Sequence, residues 1–259
     1  MHLAQVFSGF AVGAIVGITG VGGGSLMTPL LVLVFGIAPA TAVGTDLLYA
    51  AITKSGGTFV HARRGNVDWR IVGLLACGSL PAVALTLTLA SFLGPGGLGG
   101  SSRIITVSLG IALLLTAVAL VFRRRLQAWA QSHDVDALPS SRHARLTVFT
   151  GAVLGILVSL SSVGAGALGV TALFFLYPRL AAHRIVGADL AHAVPLTLVA
   201  GLGHWWLGSV DWVLLGTLLT GSLPGIFVGS HLAHHIPERV LRSALAGMLF
   251  LVGVKLIAA

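Results

Sequence analysis

The sequence predicts an all-α polytopic membrane protein of two inverted structural repeats, each a broken, re-entrant helix hairpin followed by three transmembrane helices. Three observations carry this expectation. Hydrophobic residues make up 56% of the chain and charged residues only 8%, whereas a soluble globule needs about 25% charged residues to solvate its surface. Polar-containing blocks recur at a fixed spacing of 143 residues. Corresponding loops of the two copies carry opposite charge character.

The composition fixes the class first. Mean hydropathy is +1.00, and apolar runs recur that are long enough to cross a hydrocarbon core of about 30 Å. The 35 glycines, with prolines inside the apolar stretches, suit packed or broken membrane helices. A net charge of +8 suggests nucleic acid in a soluble chain, but in a membrane protein it places arginines in cytoplasmic loops, so no nucleic-acid partner is expected. Cys77, the single cysteine, lies in an apolar run and carries no redox information. The N-terminal MHLAQVFSGF lacks the basic flank and cleavage site of a signal peptide and reads as mature protein.

The repeat orders the elements. Gly44-Thr45-Asp46-Leu47 returns as Gly187-Ala188-Asp189-Leu190, and Gly78-Ser79-Leu80-Pro81 as Gly221-Ser222-Leu223-Pro224. His61 followed by Gly65-Asn66-Val67-Asp68-Trp69 returns as His204 followed by Gly208-Ser209-Val210-Asp211-Trp212. The N-terminal repeat, 1–122, then reads as a glycine-interrupted segment over 5–35 and spans over 40–61, 69–91 and 103–122. The C-terminal repeat, 146–259, reads as an interrupted segment over 146–177 and spans over 184–206, 212–231 and 240–258. A basic polar linker, 123–145, joins them on the cytoplasmic side.

Orientation follows from the arginines. The loop with Arg63, Arg64 and Arg70 corresponds to one with Trp205, Trp206 and Leu207. The neutral 35–41 corresponds to a loop with Arg179 and Arg184, and the neutral SFLGPGGLGGSS to one with Arg239 and Arg242. Opposite hands require an odd number of crossings per half. Each broken segment therefore enters and returns on one side, turning near Gly20–Gly24 and Ser161–Gly166 as a pair of half-helices. Six crossings and two hairpins leave Arg103 and Lys255 as outer-end exceptions and put both termini outside.

Non-helical backbone at membrane depth is tolerated where it is buried in protein or lines a wet cavity. Gly22, Gly23, Gly24 and Ser25, with their mates around Gly164 and Gly166, supply such backbone. The half-helix after each turn presents N–H groups and a positive dipole end, which favour an anion. Thr28, Ser161 and Ser162 add hydroxyl donors. Paired discontinuous helices point to a secondary transporter's binding site; the alternative is that these glycines only permit close packing.

Charges within the spans are costly and face a cavity or each other. They are Asp46 and Lys54 in one span, Asp189 and His192 in its mate. Lys54 lies eight residues beyond Asp46, about 12 Å along a helix, too far to pair directly. It needs another acid, backbone carbonyls or an anionic substrate. The aspartates read either as helix-contact hydrogen bonders or as proton-coupling or gating groups. Asp68-Trp69 and Asp211-Trp212 read as helix caps with interfacial tryptophans, and His61 and His204 as interfacial. His231, His234 and His235 read as a solvated loop or a weak metal site. No zinc-type spacing, nucleophile–base set or nucleotide-fold context appears, so no metal, cofactor or enzymatic activity is expected.

These residues carry a resemblance. GxxGVGGGSLMTPLL at 17–31, GTDLLYAAITKSGG at 44–57, HARRGNVDWR at 61–70 and the repeated GxVDW…GSLPG resemble the TauE/SafE family of sulfite exporters, over essentially the whole chain. The resemblance implies a multi-pass inner-membrane permease for a small inorganic or organosulfur anion such as sulfite or a sulfonate, with protons as coupling ion. It places the family's glycine-rich motif on Gly20 to Pro29 and its mate on Ser162 to Thr171. A passive anion channel, and an importer of a related small anion, are the alternatives.

Overall fold

The computed structural model describes residues 2–19, 24–92, 102–132, 140–232 and 238–258. Among these there are ten helices and no strand: α1 (His2–Thr19), α2 (Gly24–Leu33), α3 (Pro39–Arg63), α4 (Trp69–Phe92), α5 (Ser102–Ser132), α6 (Ser140–Ser161), α7 (Ala167–Leu176), α8 (Ala182–Trp206), α9 (Trp212–Leu232) and α10 (Glu238–Ala258). The protein is an all-α polytopic membrane protein. By length and composition Trp69–Phe92, Thr106–Arg123, Ser141–Ser161, Ala182–Trp206 and Trp212–Gly229 can each cross a membrane. α3 falls outside this set because Asp46, Lys54 and Arg63 dilute its hydropathy. It is nonetheless 25 residues long and buried along its first half.

The repeated GxVDW block is a helix stop followed by a helix start. After α3, Gly65 sits at φ 69, its N–H donates to Ala62 O and that of Asn66 donates to His61 O. After α8, Gly208 at φ 71 and Ser209 make the same two bonds, to Trp205 O and His204 O. This left-handed glycine closure ties off the last carbonyls of a helix. Three residues on, the aspartate opens the next helix as its cap. Asp68 Oδ1 accepts from Ile71 N at 3.4 Å and Asp211 Oδ1 from Leu214 N at 2.9 Å. Trp69 and Trp212 beside them are exposed on the protein surface, as interfacial tryptophans are.

Small residues set the helix pairing. Gly9 and Gly13 of α1 lie against Leu218 and Ser222 of α9, while Gly221, Gly225 and Gly229 of α9 lie against Val6, Phe10 and Ala14. The partner numbers rise together, so α1 and α9 run parallel. α4 and α6 repeat this arrangement, with Gly151 and Gly155 on Leu75 and Ser79, and Gly78 on Val148. α3 and α8 instead run antiparallel. Gly44 meets His204 and Ser209, Gly201 meets Leu48, Gly57 meets Leu190, and Gly187 meets His61 and Asn66. Adding 143 to Gly44 and subtracting 143 from His204 and Ser209 gives the Gly187 contacts with His61 and Asn66, the halves exchanged.

The second interrupted segment is a hairpin whose ends share one side. His143 Nε2 donates to Leu176 O at 2.7 Å, Thr147 Oγ1 and Tyr177 OH are 2.7 Å apart, and the His143 and Tyr177 rings stack. The start of α6 therefore lies beside the end of α7. The arms are unequal, 22 and 10 residues, so α6 is a nearly full-length helix rather than half of one. The fourth element continues as helix beyond its apolar span. α5 continues through Ser132, because LQAWAQS holds helix formers without Gly or Pro. Trp129 stacks on Phe175, and Arg123 lies over the Phe174 ring, so the extension clamps α7.

Candidate functional site

The tip of the α6–α7 hairpin meets the buried charges of α3. The tip needs unusual backbone: Ser162 at φ 57, Gly164 at φ 121 and Gly166 at φ 135, all in the region that favours glycine. Ser161 spends its hydroxyl locally, donating to Leu157 O at 2.6 Å, while Val163 N donates to Ser161 Oγ at 3.2 Å. It holds the turn and is not a free donor. Ser162 is buried and faces the Asp46 carboxyl.

Lys54 reaches from α3 across to this tip, where Nζ donates to Ala165 O. The sequence leaves its partner open among an acid, a carbonyl and a substrate; here it is a carbonyl freed by the helix break. Both Asp46 and Asp189 lie within electrostatic reach of the same ammonium. Since α3 and α8 are antiparallel, the two carboxylates flank Lys54 from opposite sides. All three are buried.

Each aspartate rests on the short helix of its own half. Thr28 Oγ1 of α2 donates to Asp46 Oδ2 at 2.5 Å. Asp189 Oδ1 packs onto α7 at Gly169, in the space a side chain there would need. His192 Nε2 lies 2.8 Å from Ser79 Oγ, joining α8 to α4 across the halves. Ser79 is missed by sequence reasoning, although its block is one of the three that repeat. Its mate Ser222 faces Tyr49, the residue 143 positions before His192.

Other expected residues fall elsewhere. Gly22, Gly23, His234 and His235 lie outside the described residues, as do the side chains of Ser25 and His231. Gly24 begins α2. His204, in the last turn of α8, is fully buried within the protein, its Nε2 2.8 Å from Ser159 O. Gly44 permits this approach of the helices, since a side chain there would meet the His204 Cβ and the Ser209 carbonyl. Among the described residues no three His, Cys, Asp or Glu side chains gather as a metal site does.

Buried ammonium, two carboxylates, hydroxyls and a broken-helix N-terminus form a site that can exchange a proton or an anion. Comparison with known proteins agrees in kind. Residues 6–256 match the family model described as Sulfite exporter TauE/SafE. The chain is 38% identical to the probable membrane transporter protein YjnA of Bacillus subtilis, over 99% of this chain and all of that protein. It is 31% identical to the probable membrane transporter protein YdhB of the same organism, over 93% and 97%. It is 26% identical to the probable membrane transporter protein MJ0441 of Methanocaldococcus jannaschii, over 96% and 92%. No solved structure matches the chain significantly.

Proposed function

Because this chain belongs to the sulfite exporter TauE/SafE family and is a multi-pass membrane transporter, we propose that it carries sulfite or a small organosulfonate out across the inner membrane, coupled to protons. The observation that carries the reading is Lys54, buried and bonded to a tip carbonyl with Asp46 and Asp189 on either side. An ammonium in this setting needs counter-charge. With both carboxylates ionised the trio is net negative and repels an anion. A proton taken up by Asp46 or Asp189 balances the trio, so Lys54 can leave Ala165 O for the substrate. Ser162 and the N–H groups beginning α7 supply further donors, and Gly164 and Gly166 leave their own positions at the tip without side chains.

The inverted-repeat reading is supported by the α3 and α8 contacts that recur on exchanging the halves. The arginine-rich ends are then cytoplasmic. A negative interior favours outward movement by about 2.3 kcal/mol per 100 mV for each negative charge that the bound proton leaves uncancelled, one in the case of the sulfite dianion.

Purified protein in sulfite-loaded proteoliposomes tests the proposal. The expected result is saturable efflux that accelerates when a pH gradient is imposed. Flux equal to that of empty vesicles would remove the substrate. Unsaturable flux indifferent to the gradient would turn the protein into a passive anion channel.

A further inference from the structure

The two faces of the protein are closed differently. On the arginine-rich face, Asp68 has a second task beyond capping α4: its Oδ2 pairs with Arg184 Nη2 at 3.2 Å. Asp68 belongs to the first half and Arg184 to the first turn of α8 in the second, so the bond joins the halves. An arginine in a helix's first turn sits against the positive dipole end and gains from an anion there. Arg184 is only partly satisfied, because its Nε is buried without a hydrogen-bond partner. On the opposite face Asp211 caps α9 in the same way. Arg184's counterpart there is Thr41, and the neutral Thr45 hydroxyl accepts from Asp211 N at 3.0 Å.

Two more observations give the ion pair a role. A cavity of about 200 Å³ reaches Asp68 and is lined also by Arg70, His143 and Tyr177. Behind the pair, Ile71 and Leu75 of α4, Leu173 and Phe174 of α7, and Ile185 and Ala188 of α8 form a buried apolar plug. The pair thus adjoins a cavity that carries Arg70 and His143, through Asp68, and an apolar plug whose Ile185 and Ala188 neighbour Arg184 and Asp189 along α8.

We propose that the Asp68–Arg184 ion pair is the gate on the arginine-rich face, released when an anionic sulfonate or sulfite gathered in the cavity takes Asp68's place on Arg184. The guanidinium suits the exchange, since its Nε–Nη edge binds a carboxylate or a sulfur oxyanion by the same two donors. The bond is partly solvated, so it opens at small cost. The proposal rests on the transporter reading for its substrate.

The test reads access rather than transport. In a Cys77→Ala background, Ala188→Cys places a thiol in the plug, and a membrane-impermeant maleimide is applied to inside-out vesicles. Asp68→Asn keeps the α4 cap, since Asn caps as well as Asp, but loses the ion pair. It is expected to speed labelling about fivefold, the order of change from losing one weak contact. Arg184→Gln should do the same, and the double variant should label no faster than the quicker single. Asp211→Asn, on the other face, should leave labelling unchanged. Isethionate, an organosulfonate that does not consume maleimide, should speed labelling of the parent but not of Arg184→Gln. Unchanged rates in both single variants, additive rates in the double, or an isethionate response that survives Arg184→Gln would each overturn the gate. Size-exclusion profiles in detergent verify that the variants are folded. A failed gate leaves sulfite efflux in proteoliposomes to be judged independently, and absent efflux does not alter the labelling result.

Discussion

Lys54 and Asp46 sit on one helix, too far apart to meet, and the chain solves both burials with groups from elsewhere. Lys54 takes the carbonyl of Ala165, 111 residues away, and Asp46 takes the hydroxyl of Thr28. Lys54→Met should therefore leave the fold intact, because Ala165 O remains at a tip already without a regular helical partner. Sulfite efflux should fall about tenfold or more, the loss expected when a charged hydrogen bond to the substrate is removed. Intact efflux would take Lys54 out of the site. Thr28→Val keeps the shape but strips Asp46 of its donor, and should lower stability by about 1–3 kcal/mol, read as a lower melting temperature in detergent. Gly169→Ala should displace the Asp189 carboxyl, since a side chain there meets Asp189 Oδ1, and should lower sulfite efflux. Sequence alone finds Asp46, Lys54, Asp189 and His192, because charge in an apolar span stands out. It misses Ser79, because a serine in a membrane helix is common and its hydrogen bond to His192 depends on how α4 and α8 pack.

At the scale of the helix, glycine has two separate uses here. Gly164 and Gly166 serve backbone conformation at the tip. Alanine at either should cost roughly 1–2 kcal/mol and shift Ala165 O away from Lys54. Gly78 and Gly221, mates by the repeat, serve packing: a side chain at either falls onto the backbone of α6 or α1, at Val148 and Val6. Gly73 and Gly216, equally mates, face open space. Alanine at Gly78 or Gly221 should reduce the yield of monodisperse protein, whereas alanine at Gly73 or Gly216 should not. Equal behaviour of the two pairs would sink the packing argument. The hairpin is legible in the sequence as a parity requirement from loop charges. The unequal lengths of its arms are not, because the charge pattern reports which side a loop occupies and says nothing of how deep the turn lies.

At the scale of the molecule, the halves are not two modules side by side. α1 of the first half packs on α9 of the second, and α6 of the second on α4 of the first. Each half alone leaves these glycine-lined faces open, and polar groups such as Asp46, Lys54 and His192 lose partners from the other half. Fragments 1–132 and 140–259 expressed separately should be degraded, while co-expression should restore both in one co-purifying complex. Stable accumulation of either fragment alone would contradict this interlocked arrangement. Reporter fusions at the two termini should both report the external side, as the charge pattern requires.

Residue chemistry and its repetition thus determined the class of the protein, the duplication, the opposed charge of corresponding loops and the rare charges inside the spans. These are properties of the chain as a one-dimensional pattern, since bilayer thickness and loop charge act on each segment separately. Which atoms meet was decided only by the tertiary structure. The burial of His204 against Gly44, the reach of Lys54 to Ala165 and the pairing of Asp68 with Arg184 all join segments far apart in sequence. In a medium where water cannot supply the missing partner, every buried polar group must find one within the protein. The identity of that partner depends on helix crossings that no single segment encodes.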